Sequence, residues 1–200
     1  TTLFSRYNPR KHPNVSIIEE SEKAAHLENL KEFYSRYTFY TEQNIYYRDY
    51  YLVWKENGEI LAGCQANPEV WELIDYPGSR MNQILMKYGT RLPVVRKIFD
   101  PGYQKFIAIE GIWYKEGCEK YLFDIFETAC EKHGYNSAVI WLDPKSPIVN
   151  KVRSIGRLGI ISKLLKPAEG DIRVKFNNYR EAEKQVYYEQ PAYVSCFDMT

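Results

Sequence analysis

Long apolar runs are missing from this chain. No stretch approaches the roughly 20 residues that a helix needs to cross a bilayer, and no signal-peptide pattern opens it, so a cytoplasmic protein with no membrane partner is expected. An excess of charge of one sign is also missing. Lys and Arg number 27 against 26 Asp and Glu, and the net charge of +1 favours neither a nucleic-acid partner nor capture of acidic ligands. Cysteine is sparse and scattered. Cys64, Cys118, Cys130 and Cys196 form no CxxC pair, which removes the spacing of a zinc site and of a disulfide scaffold; no metal is expected, and a reducing compartment fits best. No internal repeat or low-complexity tract is evident.

What is present suffices for a core. Two hundred residues, 44% hydrophobic, suggest a single domain over 1–200, with two small domains as the alternative and a helix or linker plus a strand in 177–200. The chain opens on Thr1 rather than Met, so a piece of a longer chain is one expectation. Tyrosine is abundant and clusters between Tyr34 and Tyr51. Packing and strand propensity account for such a cluster, and so does a pocket wall lined with hydroxyls.

"VSIIEE" (15–20) has the character of a short strand. The segment after it places Ala25, Leu27, Leu30, Phe33 and Tyr34 at helical spacing, with Ser21 as the expected cap. Two β-branched and aromatic runs around Asn57-Gly58 predict a tight hairpin. Residues 78–99 predict a helix in two pieces, interrupted at Gly89 and Pro93. "QKFIAIEGIWY" (104–114) is an unbroken strand pattern. Gly117 follows, and then a helix with Leu122, Phe126, Ala129 and Cys130 on one side and Gly134 at its end. "SAVIWLD" (137–143) is nearly all apolar, the mark of a central strand covered on both faces. Residues 146–159 predict a second helix, with Pro147 in its first turn and Gly159 near its stop. "DIRVKF" and "AYVSCFDM" are expected as late strands, with a solvated helix or linker at 177–190 between them.

The order of these elements, with "IWYKEGCEKYLFDIFETACEKHGYNSAVIWLD" and the later "IGRLGI", resembles the GNAT superfamily of acyl-CoA-dependent N-acyltransferases over roughly residues 15–176. The resemblance implies an α+β fold in α/β/α layers: a mixed, mostly antiparallel sheet, helices on both faces and a helical insert before the fourth strand. It implies acetyl-CoA or another acyl-CoA as co-substrate, and a small-molecule or peptide amine as acceptor. Members carry an Arg/Gln-x-x-Gly-x-Gly/Ala turn whose amides grip the pyrophosphate. Here the matching residues are Tyr114, Lys115, Glu116, Gly117, Cys118 and Glu119, with Lys120 next. Tyr114 takes the Arg/Gln position and Glu119 the second small position. The resemblance also implies that Gly111, Ile112, Trp113 and Tyr114 offer backbone groups to the pantetheine arm. Ile155 stands where many members have a tyrosine that protonates the departing thiolate, so the general acid is unassigned.

A helix N-terminus offers unpaired N–H groups and about half a positive charge, which suits an anion. Glu116 and Glu119 oppose one, and Lys115 and Lys120 partly offset them. Acyl transfer needs a neutral amine, and Glu110, embedded in an apolar strand where burial raises a carboxyl pKa, is the candidate base. A structural glutamate paired with a cation is the competing reading. Cys118 reads as a turn filler or a nucleophile, His133 as a solvated residue of a last helical turn, and Asp143 as a substrate contact or a helix cap. The basic stretch Arg80, Lys87, Arg91, Arg96, Lys97 and Lys105 reads as a solvated face or as a contact for a CoA phosphate. Its apolar residues are compatible with packing on the body or with a homodimer. A module that has lost catalysis and an aminoacyl-tRNA-dependent transferase are the alternative functions.

Overall fold

The computed structural model describes residues 1–72, 88, 93–98, 100, 102–159, 162 and 173–195. The strands are β1 (Thr2–Ser5), β2 (Val15–Ile17), β3 (Tyr51–Glu56), β4 (Glu59–Trp71), β5 (Gln104–Tyr114) and β6 (Ser137–Ile140). The helices are α1 (Glu20–Phe33), α2 (Pro93–Ile98), α3 (Leu122–His133), α4 (Pro147–Ile155) and α5 (Glu181–Glu189). The six strands form one open sheet in the order β1-β6-β5-β4-β3-β2. Four of the neighbouring pairs are antiparallel, and β5–β6 is parallel, joined by the crossover through α3.

Local chemistry explains most boundaries. Asn57 and Gly58 both take left-handed φ, 51° and 83°, as a two-residue hairpin turn of the primed type requires, and β3 returns directly into β4. Helix α1 begins one residue before the expected cap Ser21. Glu19 precedes it, and the Glu22 carboxylate reaches back to accept the Glu19 N–H at 3.0 Å, which satisfies an exposed helix-end donor better than a serine inside the first turn would. Gly134 closes α3 in the left-handed region at φ 67°. Ser146 caps α4 and Pro147 fills its first position, but the stop is Gly156 at φ 72°, three residues before the glycine expected to end it.

That displaced glycine has another task. A side chain at Gly159 would place its Cβ 2.3 Å from the Ser5 carbonyl oxygen, and the Ser5 N–H donates to Leu158 O at 2.8 Å. The close approach holds β1 against the chain that follows α4. Strand β1 itself was not expected: four residues show too little alternation, and only the antiparallel register Thr2↔Ile140 to Ser5↔Ser137 makes them a strand. Of the two late strands, residues 173–176 have no strand structure and Ala192 forms a single parallel bridge with Thr38; 171–172 and 196–199 lie outside the described residues. Of the expected insert over 78–99, Tyr88 and residues 93–98 are described, so Arg80, Lys87 and Arg91 lie outside the described residues.

Alternation along β5 divides the interior. Ile107 and Ile109 enter the large core with Phe4, Phe123, Phe126 and Ile140, while Phe106 and Ala108 join Trp141 in a second cluster flanked by Trp71 and Val194. Helix α3 packs on β3, β4 and β5 through Leu122, Ile125, Phe126 and Ala129, all buried. Helix α5 buries none of its residues, in keeping with its polar sequence. Among the described residues no helix is long and apolar enough to cross a bilayer.

Candidate functional site

Strands β5 and β6 pair over only three residues each, Ile107–Ile109 with Ala138–Ile140. Strand β6 then ends, while β5 runs on to Tyr114. Beyond the paired stretch, Glu110 to Tyr114 therefore has β4 on one side and, among the described residues, no strand on the other. The β4 register shows a bulge at this point: Gln65 pairs with Glu110 and Gly63 with Trp113, so that Gly111 and Ile112 together oppose Cys64. Gly111 accommodates the bulge at φ 55°, a region that an L side chain rarely adopts.

Two tyrosines from the 34–51 cluster hold the bulge. The Tyr51 hydroxyl donates to Gly111 O at 3.0 Å, and the Tyr34 hydroxyl donates to Ile112 O at 2.6 Å. Both rings are buried, which pushes their phenol pKa values well above the ordinary range and keeps the hydroxyls as donors. The cluster therefore combines packing with aimed hydroxyls. Tyr34 stacks on Tyr40 at 4.9 Å and meets Tyr193 edge-on at 5.0 Å.

Glu110 is 3% exposed and sits where β5 loses its β6 partner. Ser195 Oγ donates to its Oε2 at 2.7 Å, and Asn67 Nδ2 approaches Oε1 at 3.4 Å. The polar chain extends further. Asn44 Nδ2 donates to Ser195 Oγ at 3.0 Å, and Gln65 Nε2 donates to Asn67 Oδ1 at 2.9 Å and to Tyr47 O at 2.7 Å. Gln65, Asn67, Asn44 and Ser195 were not singled out from the sequence. The available signal was "CQANPE", where two amide side chains recur at the period of a strand inside an apolar run.

The unpaired side of β5 is occupied by the chain after α5. Thr38 N–H donates to Pro191 O at 2.9 Å and Tyr193 N–H to Thr38 O at 2.8 Å, while Ala192 N–H is held by Asp143 Oδ2 at 2.9 Å. Tyr193 fills the space between Tyr34, Tyr40 and the bulge. The void left among Glu110, Ile112, Trp141 and Tyr193 is about 10 Å³, the lower limit for a single water. Asp143 thus anchors this segment, and the cap of α4 is Ser146.

At the far end of β5 the Gly117 turn leads through a short 3₁₀ segment, Glu119–Tyr121, into α3. Gly117 takes φ 81° with open space where a side chain would stand. Glu119 is buried and its carboxylate lies 2.9 Å from Lys151 Nζ. Burial pushes the carboxyl pKa up, but Lys151 and the backbone N–H groups of Glu119 and Gly117 together hold it below the ordinary range. A carboxylate of the chain itself thus sits buried at the turn, paired with Lys151. Lys115 pairs with Glu59 at 2.6 Å, and Lys120 lies over the Tyr121 ring at 5.0 Å. Cys118 is half-buried and donates its N–H to Lys115 O. Tyr114 packs edge-on against Phe33 at 5.2 Å, and Trp113 against His26 at 5.0 Å.

Other candidates are dispersed. His133 meets Tyr50 edge-on at 5.5 Å, Arg96 pairs with Asp100, and Lys97 lies over Tyr7 at 4.3 Å. Among the described residues no three His, Cys, Asp or Glu side chains gather to hold a metal. Comparison with family models, curated proteins and solved structures finds no match to the chain.

Proposed function

We propose that the chain is a GNAT-type N-acyltransferase that moves an acyl group, acetyl in the simplest case, from acyl-CoA to an amine. The observation that carries this reading is the bulge at Gly111 on a strand that leaves its parallel neighbour after three residue pairs, with a buried carboxylate at the point of divergence. In such a gap a thioester arm would lie alongside β5 and bring its carbonyl near Gly111. The amine nitrogen would attack that carbon, the C–N bond would form as the C–S bond breaks, and the thiolate would leave with the electron pair. Glu110 would accept the proton that the nitrogen sheds. The Gly117 turn would face the pyrophosphate, with Lys115 and Lys120 beside it.

Entry of the arm requires two displacements. The segment 191–195 must leave the gap, and the buried Glu119 carboxylate, paired with Lys151, must make room for the pyrophosphate. These same two contacts favour a second reading, a module of the same fold that no longer binds acyl-CoA. Calorimetric titration with acetyl-CoA and longer acyl-CoAs separates the two: saturable binding is expected for the transferase, and no binding to any of them refutes it. Within the transferase reading, Glu110→Gln should lower turnover at least tenfold with CoA affinity nearly unchanged, because an amide keeps the shape and one accepted hydrogen bond of the carboxylate but takes up no proton. Unchanged turnover removes Glu110 from the chemistry.

A further inference from the structure

The chain is nearly neutral as a whole, yet cations without carboxylate partners collect around the end of α3 and the starts of β3 and β5. Arg48, Lys105 and Lys132 are exposed, and among the described residues none of them forms an ion pair, whereas Lys55, Lys115 and Lys151 each hold a carboxylate. The chain neighbours Asp49 and Glu131 make no ion pair with them either. Each cation lies against tyrosine instead. Lys105 Nζ stands 5.0 Å from the Tyr103 ring centre and 5.9 Å from that of Tyr135, so the ammonium sits between two rings that line a cleft of about 190 Å³. Asp100, also on the cleft wall, is taken by Arg96 at 3.1 Å. Lys132 Nζ is 5.7 Å from the Tyr50 ring, and the Arg48 guanidinium is 5.1 Å from the Tyr47 ring and beside Tyr50.

Ring contacts join these pairs into one strip. Tyr135 meets His133 at 6.0 Å, and His133 meets Tyr50 at 5.5 Å. Burial and the Lys132 charge both push the His133 pKa down, so near pH 7 it serves as a neutral ring. Cations and rings thus alternate from Tyr103 to Tyr47, and these two end rings are 59% and 46% exposed. An acidic peptide would use the charges and leave the rings idle, and a duplex hides the faces of its bases. A single strand offers phosphates and π-faces in alternation. We propose that this strip binds single-stranded nucleic acid, with backbone phosphates at Arg48, Lys132 and Lys105 and bases stacked on Tyr47 and Tyr103. None of these side chains lines the gap at Glu110, and the Gly117 turn lies at the opposite end of α3, so the strip stands independently of the acyltransferase reading.

The test follows the fluorescence anisotropy of labelled oligo(dT) and oligo(U), each about 15 nucleotides long, as the full chain is added over a series of salt concentrations. At least one strand should bind saturably, with log K falling against log salt at a slope of about −2, as three phosphate contacts on a single strand require. Tyr103→Ala should weaken binding about tenfold and leave the slope unchanged. Lys105→Gln combined with Lys132→Gln should make the slope shallower by about 1.4. Tyr103 is a largely exposed side chain, and its variant carries the test if the charge variant does not fold. Poly-glutamate, a polyanion without rings, and a DNA duplex of the same length serve as competitors and should displace the strand poorly. The proposal is overturned if neither oligonucleotide binds, if either competitor displaces the strand as well as the unlabelled strand does, if Tyr103→Ala binds like the parent, or if the folded charge variant keeps the parent slope.

Discussion

Replacing Gly111 with alanine separates two physical effects that meet at the β5 bulge. The new Cβ would stand 2.6 Å from Ile45 Cδ1, and the backbone would have to keep φ at 55°. The second effect costs an L residue about 1–2 kcal/mol. The first forces a buried side chain out of its place, for about 1–3 kcal/mol. Gly111→Ala should therefore destabilise the fold by roughly 2–5 kcal/mol. Ile45→Val deletes the methyl that is in the way, at about 0.5–1.5 kcal/mol by itself. In the double variant the steric part disappears and the backbone part remains, so the two changes should couple favourably by roughly 1–3 kcal/mol. Urea unfolding of the four proteins measures this, provided the slope m stays constant across them. A loss below about 0.5 kcal/mol for Gly111→Ala, or a cycle that is simply additive, would refute the bulge geometry.

Further outcomes follow from the same physics. Gly159→Ala meets a backbone oxygen at 2.3 Å that no rotamer change can move, and should cost roughly 3 kcal/mol or more, whereas Gly117→Ala, with open space around it, should cost about 1 kcal/mol; thermal melts should rank them in that order. His26 has a folded pKa of about 4 against 6.5 for the free side chain, so between those values the unfolded chain binds the extra proton and stability falls as pH falls. That loss amounts to roughly 3 kcal/mol from pH 6.5 to 4 and should be absent in His26→Phe; equal pH slopes for the two proteins would contradict the buried neutral imidazole. Tyr193→Ala empties a buried aromatic site and should destabilise by roughly 3 kcal/mol, yet it should strengthen acyl-CoA binding in the calorimeter if the ring lies in the path of the thioester arm.

The sequence alone carried the local structure of the middle of the chain. The Asn57-Gly58 turn, the strand over 104–114, the helix ending at Gly134 and the Pro147 helix start all depend on near neighbours: φ preferences, apolar spacing and the absence of a donor on proline. Glu110 also stood out, because a carboxylate inside an apolar strand must find partners. Its partners did not, since Ser195 is 85 positions away and no local pattern joins the two.

Only the tertiary structure decided the rest. β1 exists because β6 offers it an edge, Gly156 rather than Gly159 ends α4 because Gly159 is needed against Ser5, and the bulge appears only where β4 and β5 fall out of register. The fate of the Gly117 turn was decided in the same way. Its sequence marks a helix start with room for an anion, but whether Glu119 turns outward or stays buried depends on Lys151, a residue on α4 that local reasoning does not reach. Backbone preference acts over a few residues and is written in the chain locally, whereas burial, charge pairing and strand register act between segments that only folding brings together.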